Sequence, residues 1–177
     1  PAAIAHVLDV PLAAIMTGTS LPLRVERRVW DGGVETPETE TVYVSIPRGT
    51  DDNEIIIVRG KGHMSPDGQS GDVKVRIRMV EVAPFERHGL NLAYTHTLTL
   101  CEALCGFEFE LAHPNGATYT IQNEAVVAPD SSKIIPRLGV PRGDITGHLV
   151  VQFAVAFPRA LTPGQKARVR SIWNERE

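Results

Sequence analysis

The stretch VKVRIRMVEVAPFERHGLNLAYTHTLTLCEALCGF, residues 73–107, decides the fold of this chain. In its first part, apolar and basic residues alternate. In an extended strand the apolar residues share one face: Val73, Val75, Ile77 and Met79. The basic residues lie on the opposite face: Lys74, Arg76 and Arg78. A period of two is typical of a half-buried antiparallel strand. Pro84 lacks an N–H and restricts Ala83, so the strand cannot continue unbroken. Two sheet-bearing units are therefore predicted to meet near residues 83–89, with Phe85 at the joint.

A second alternating strand and a short helix follow the joint. The apolar face of this strand carries Leu90, Leu92, Tyr94, Leu98 and Leu100. The helix is predicted to end at Gly106, because glycine is the common terminator of short helices.

The same order of elements occurs earlier in the chain, which predicts an internal duplication. Four positions of the second helix match four of the first: Leu100, Ala103, Leu104 and Gly106 stand where Leu12, Ile15, Met16 and Gly18 stand. The halves differ in their hairpins. In the first, the polar run to Glu40 predicts a long loose loop, whereas Asn115-Gly116 predicts a tight turn in the second. Residues 55–58 are predicted to form a buried strand.

Composition excludes several classes of function. The chain has 177 residues and a formal net charge of −3, so no basic excess indicates nucleic acid. No apolar run approaches the roughly 20 residues of a membrane span. The N-terminus lacks the pattern of a secretory leader, and the start at Pro1 leads us to expect a missing N-terminal part. Two cysteines provide no disulfide framework, which favours a reducing compartment and a cytoplasmic protein.

The last residues predict a helix with an apolar stripe. Thr162 and Gln165 form a capping box around Pro163. The stripe consists of Val169, Ile172 and Trp173. Such a stripe at a chain end is expected to dock either on the preceding domain or on another copy of the chain.

No motif in the sequence indicates an enzyme, a metal site or a cofactor. Cys101 and Cys105 lie one helical turn apart and His96 falls on the apolar face of its strand, but zinc requires three or four ligands. Cysteines on the buried face of a short helix are commonly small apolar fillers. The glycines of RGKG and PRGD are interpreted as turn residues, because neither segment precedes a phosphate-binding helix.

Apolar residues of the first unit have two interpretations. Leu8, Leu23, Val25 and Phe85 either belong to the core or line an open apolar depression. Alternation alone favours the core.

The motifs PFERHGLNL, CEALCGFEFEL, NGATYTI and HLVVQFAVAFP, in this order, resemble the C-terminal peptide-binding region of DnaJ-type J-domain co-chaperones. The resemblance covers nearly the whole chain. Because Cys-x-x-Cys-x-Gly-x-Gly repeats are absent, the chain is similar to the class lacking the zinc-binding insertion. The His-Pro-Asp tripeptide of the J-domain does not occur in it.

The resemblance implies a mainly β fold with two tandem β-sandwich-like sub-domains, each with a short helix, followed by a C-terminal helix. The implied divisions are sub-domain I, peptide-binding, at 1–86; sub-domain II at 87–158; and a dimerisation helix at 159–177. Val169, Ile172 and Trp173 would then mediate a homodimer.

The resemblance also implies a shallow hydrophobic groove on sub-domain I that binds extended, non-native client segments or the acidic C-terminal tail of a DnaK-type chaperone. Its residues would be His6, Leu8, Leu23, Val25 and Phe85. The implied function is non-catalytic: clients are bound and delivered to the chaperone ATPase. The alternative is an assembly scaffold with one fixed partner. Leu21 and the Glu40-Thr41 region stand near positions where family members that bind this tail carry lysines.

Overall fold

The computed structural model describes residues 1–81 and 83–175, and the fold is mainly β, as predicted. The first unit contains the elements β1 (Ile4–Pro11), α1 (Leu12–Thr17), β2 (Thr19–Asp31), β3 (Val34–Ile46), β4 (Ile55–Val58) and β5 (Val73–Val80). The second unit contains β6 (Phe85–His88), β7 (Asn91–Thr99), α2 (Leu100–Cys105), β8 (Phe107–Ala112), β9 (Thr118–Asn123), β10 (Ser132–Ile135), β11 (Pro141–Arg142), β12 (Ile145–Thr146) and β13 (Leu149–Ala156). The helix α3 (Pro163–Asn174) closes the chain.

The first unit has two β layers. β5 lies between β1, which runs parallel to it, and β4, which runs antiparallel. β2 and β3 form an antiparallel hairpin. The inward side chains of the two layers make the core, to which β5 contributes Val73, Val75 and Ile77. The predicted alternation of residues 73–79 is confirmed, but the strand has one parallel neighbour besides its antiparallel one.

The second unit repeats this arrangement in register. β13 runs parallel to β7 and antiparallel to β10, as β5 does to β1 and β4. Ile4 N–H donates to Asp72 C=O at 2.9 Å, and Leu92 N–H donates to His148 C=O at the same 2.9 Å. The predicted duplication is confirmed by this shared pairing. The second unit adds β6, which pairs with the outer edge of β7.

Two of the local predictions about the first unit are wrong. β2 and β3 stay paired out to Asp31 and Val34, so the polar run to Glu40 is strand rather than loose loop. The residues 55–58 form an edge strand rather than a buried one, with Ile55 and Ile57 exposed by 58% and 48%. Ile55 and Ile57 lie on the outward face of the sheet, whereas Ile56 and Val58 pack against the core.

The helices α1 and α2 begin differently. α1 follows Pro11 without a side-chain cap and buries Leu12, Ile15 and Met16, which share one helical face. α2 has a capping box between Thr99 and Glu102, yet buries only Ala103.

Arginine side chains join the two units. The Arg87 guanidinium donates to Thr50 C=O at 2.6 Å, to Gly49 C=O at 3.1 Å and to Asp51 Oδ1 at 3.0 Å. Arg142 donates to Asp51 Oδ2 at 3.2 Å and to Glu54 Oε1 at 2.7 Å. The turn after β3 is thus held against the second unit.

β6 belongs by pairing to the second sheet, because Phe85 lies opposite Tyr94. The sequence-based division between residues 86 and 87 therefore falls inside this strand.

Candidate peptide-binding site

The inner face of β1 becomes more buried along the strand. His6 and Leu8 are half-buried, and Val10 is completely buried. Leu8 packs against the core cluster without being covered. The N-terminal half of β1 therefore keeps accessible surface on its core-facing side.

β2 shows the same gradient. Leu21 and Leu23 are half-buried and pack against the core, whereas Val25 is 1% exposed. Leu21 was not among the predicted site residues, although its alternation with Leu23 was the signal that could have identified it.

Both strands have an unpaired edge. β1 lies at the end of its sheet, and β2 pairs with β3 alone. Apart from its pairing with β3, the described part of the chain gives the main chain of β2 hydrogen bonds at Arg28 alone. The Arg28 N–H donates to His63 Nδ1, and the Arg28 C=O accepts from the Met64 N–H. Unpaired edges present N–H and C=O groups that another extended chain can bind.

Two of the five predicted groove residues are buried. Val25 is 1% exposed and Phe85 is 5% exposed, so for these two the core interpretation is correct. The Phe85 ring contacts Tyr94, with centroids 5.2 Å apart, and His113, with centroids 5.9 Å apart, both in the second unit. The accessible members of the set are His6, Leu8 and Leu23.

A carboxylate occupies one of the positions where lysines were expected from the resemblance. Glu40 accepts from Lys61 Nζ at 2.7 Å, and its other oxygen lies 3.7 Å from Arg27 Nε. The hydrogen bond from Lys61 lowers the pKa of Glu40, so this carboxylate stays ionised to a lower pH than an unpaired glutamate. Arg24, on the neighbouring strand β2, is exposed and lies opposite Thr41.

The cysteines are exposed, which contradicts their expected place on the buried face of the helix. Ala103 occupies that face instead. A hydrogen bond with Cys105 raises the pKa of the Cys101 thiol, which lowers its thiolate fraction and hence its nucleophilicity. Across residues 1–81 and 83–175, no three His, Cys, Asp or Glu side chains are grouped as metal ligands.

His96 is a titratable group that is packed against an aromatic ring. Its ring stacks on Phe109 with centroids 3.6 Å apart, and burial lowers its pKa, a shift that Glu102 partly opposes. It lies in the second unit, away from the accessible groove residues.

The C-terminal helix is confirmed with its predicted cap. Thr162 and Gln165 form the capping box, and none of the described side chains of α3 is buried. Val169, Ile172 and Trp173 are exposed by 42%, 56% and 47%. None of the helices in the described part of the chain is both long and apolar enough to cross a membrane.

The fold and its unpaired edges define a tandem-repeat β protein with a C-terminal helix. The family model of the DnaJ C terminal domain matches residues 4–158. The chain is 35% identical over 141 residues to Chaperone protein dnaJ 3 of Arabidopsis thaliana, covering 77% of this chain and 34% of that protein. It is 36% identical over 140 residues to DnaJ protein homolog 1 of Allium porrum, covering 76% and 35%.

A third relative has a similar identity and coverage. DnaJ protein ERDJ3B of Oryza sativa is 32% identical over 137 residues, with 76% of this chain and 40% of that protein covered. The chain belongs to the DnaJ C-terminal domain family, as the motifs indicated. It spans about a third of the length of the first relatives that it matches.

Proposed function

We propose that this chain is the client-binding part of a cytoplasmic DnaJ-type co-chaperone. Extended, non-native segments would lie in a groove of the first unit lined by His6, Leu8 and Leu23, with the buried Val25 beneath them; Phe85, which packs against Tyr94 and His113 in the second unit, is not part of this groove. The observation that carries the proposal is that β1 and β2 both combine an unpaired edge with half-buried apolar side chains.

The main chain and the side chains of the groove would recognise different features of a client. Main-chain hydrogen bonds at a strand edge are indifferent to sequence, and apolar depressions take alternate side chains. Folded proteins rarely present free main-chain groups together with accessible alternate apolar side chains. Selectivity for unfolded segments therefore requires no catalytic group. Delivery to a DnaK-type ATPase is proposed for the longer protein that carries a J-domain.

The test replaces the two accessible aliphatic residues. Leu8→Asn with Leu23→Asn should abolish suppression of client aggregation, measured by light scattering of a heat-denatured enzyme. A matched control is Val126→Asn with Ile134→Asn, because these second-unit side chains are exposed by 68% and 62%. Unchanged suppression by the folded Leu8/Leu23 variant would contradict the proposal. If the chain binds only one of many unrelated denatured proteins, the scaffold alternative is correct instead.

Dimerisation through α3 is part of the proposal. The helix has no buried side chains of its own to hold it, while Val169 and Ile172 present an apolar surface. A partner helix would cover that surface, and the resulting pair of grooves would raise the effective affinity for clients. Deletion of residues 161–177 should halve the mass in sedimentation; an unchanged mass would refute this role.

A further inference from the structure

The helix α2 carries two thiols on one side. Cys101 and Cys105 are four residues apart, and residues at this spacing are neighbours on a helix surface. Both are free and exposed. Ala103 forms the buried side of the helix and packs against the core. The two thiols are therefore presented together to solvent, and the client groove, which lies in the first unit, makes no use of them.

Hydrogen bonds hold α2 at both ends and in the middle. At its start, Thr99 Oγ1 accepts from the Glu102 N–H at 3.1 Å. At its end, the Gly106 N–H donates to Glu102 C=O at 3.0 Å, so the last turn stays helical through Cys105. Between them, Ala103 C=O accepts from the Val127 N–H at 2.8 Å. The distance between the two cysteines is therefore set by a fixed helical backbone.

This distance decides what can join the two sulfur atoms. The Cβ atoms of residues four apart on a helix are about 5–6 Å apart. A disulfide requires a Cβ–Cβ distance of about 3.5–4.5 Å and a sulfur–sulfur bond of about 2 Å. A sulfur–metal–sulfur bridge spans about 4.6 Å if each bond has the ~2.3 Å length of a zinc–thiolate bond. One bridging atom therefore fits α2 better than a direct bond between the sulfurs.

The number of ligands limits the choice of that atom. In the part of the chain that the structure describes, no third His, Cys, Asp or Glu joins the two cysteines as a metal ligand. Structural zinc sites and iron–sulfur clusters use four protein ligands. Among the metals that soft thiolates select, Cu(I) is the one that two thiolates bind in a linear arrangement. The pair therefore matches Cu(I) in both ligand type and ligand number.

The surroundings of the pair suit a two-coordinate ion. Both cysteines line a depression of about 510 Å³ between α2 and residues 156–158. Leu104 and Phe157, which are exposed by 41% and 68%, provide much of its apolar surface. The hydroxyl of Thr99, also in the lining, already accepts the helix-capping hydrogen bond. None of the lining side chains is charged, so no carboxylate or amine competes with the thiolates for the ion.

We propose that Cys101 Sγ and Cys105 Sγ bind one Cu(I) ion in a linear site on α2. Each thiol releases one proton, each sulfur forms one bond to the ion, and copper stays in the +1 state throughout. The bound ion and its two thiolates carry one negative charge together. Because both cysteines are exposed, the ion can be exchanged with thiol ligands in solution. This activity goes beyond the proposed function, since it requires neither the groove nor a client.

Protons compete with the ion for the two sulfurs. The hydrogen bond with Cys105 raises the pKa of the Cys101 thiol, so this thiol keeps its proton to a higher pH than an isolated cysteine. Metal binding that displaces protons becomes tighter as the pH rises. The affinity for Cu(I) should therefore increase with pH over the range in which the thiols are still protonated, and a flat profile there would contradict binding through thiolates.

The test is an anaerobic competition between the reduced 177-residue chain and bicinchoninate, a coloured chelator of Cu(I). The chain should remove one Cu(I) per molecule, read as loss of the chelator's absorbance. Cys101→Ser and Cys105→Ser should each weaken binding by about 100-fold or more, because the second thiolate acts at a high effective concentration. Both positions are exposed, so the denaturation midpoints should stay unchanged. Undiminished binding by either folded variant would overturn the proposal.

A matched control keeps the number of cysteines and separates them. Cys105→Ser with Thr36→Cys places the second thiol at an exposed position of β3, in the other unit. This variant should bind Cu(I) as weakly as Cys105→Ser alone; binding equal to that of the parent would refute the pair on α2. X-ray absorption of the loaded parent should show two sulfur neighbours per copper, and a shell of nitrogen or oxygen would contradict the two-coordinate site.

The geometry has its own check. The oxidant diamide should not join Cys101 to Cys105 in the folded chain, because the helix holds the Cβ atoms too far apart. Intact-mass analysis and helix content by circular dichroism report the result. A disulfide that forms while α2 stays helical would show that the sulfurs meet directly, and it would overturn the spacing on which the site depends.

Discussion

The two units of this protein share the same strand pairing but differ at one sheet edge. In the second, β6 covers the outer edge of β7, and Phe85 fills the space beside Tyr94. In the first, the equivalent edge of β1 is open, and the side chains beside it, His6 and Leu8, are half-buried. The difference indicates that a binding site can arise in a repeat by leaving out one covering strand.

The comparison predicts the largest effect for Phe85. Phe85→Ala should lower the free energy of unfolding by about 3–5 kcal/mol, because it empties a buried aromatic site. Chemical denaturation measures this change. The control is Phe157→Ala, since Phe157 is 68% exposed and its truncation should cost below about 1 kcal/mol. Equal costs for the two would mean that β6 does not seal the second unit.

The link between the units is expected to depend on one arginine more than on the other. The Arg87 side chain is 4% exposed, and burial lowers its pKa, a shift that Asp51 opposes. Arg87→Met should cost about 2–4 kcal/mol, because it leaves the Thr50 carbonyl without its side-chain donor and removes the buried partner of Asp51. Arg142→Met, at a side chain 42% exposed, should cost less than about half of that. Thermal unfolding of both variants checks the order, and a larger loss for Arg142 would contradict it.

The helix caps provide a smaller contrast. α2 has a capping box that α1 lacks, so Thr99→Ala should lower stability by about 1 kcal/mol. Thr97→Ala, at an exposed strand position, is the control. Denaturation midpoints at equal slope report the difference; identical midpoints would show that α2 is held by packing alone.

The smallest predicted effect is a pH dependence confined to the second unit. Burial lowers the pKa of His96 below its ordinary value of 6.5, so in this range the unfolded chain binds more protons than the folded one. Stability should therefore fall as the pH drops below about 6.5, where the unfolded histidine becomes charged. Melting temperatures between about pH 7.5 and 5.5 should fall less for His96→Gln than for the parent; parallel profiles would refute this origin.

Much of the fold could be predicted because it depends on patterns among residues that are close in sequence. The alternation of residues 73–79, the capping box at Thr162 and the repeat of the Gly18 and Gly106 helix ends each depend on residues close in sequence. Such signals act through backbone geometry and through which face of an element is apolar. Together with the ordered motifs, they were sufficient to identify the family.

The open edge of β1, the exposure of Cys101 and the closure of Phe85 were decided by tertiary structure. Each depends on which strand lies next to which, and that is set by contacts far apart along the chain. Leu23 and Val25 follow the same alternation in β2, yet Leu23 is half-buried and Val25 is completely buried. Local sequence determines which face of a strand is apolar; only the packed neighbours determine whether that face, or that edge, remains accessible.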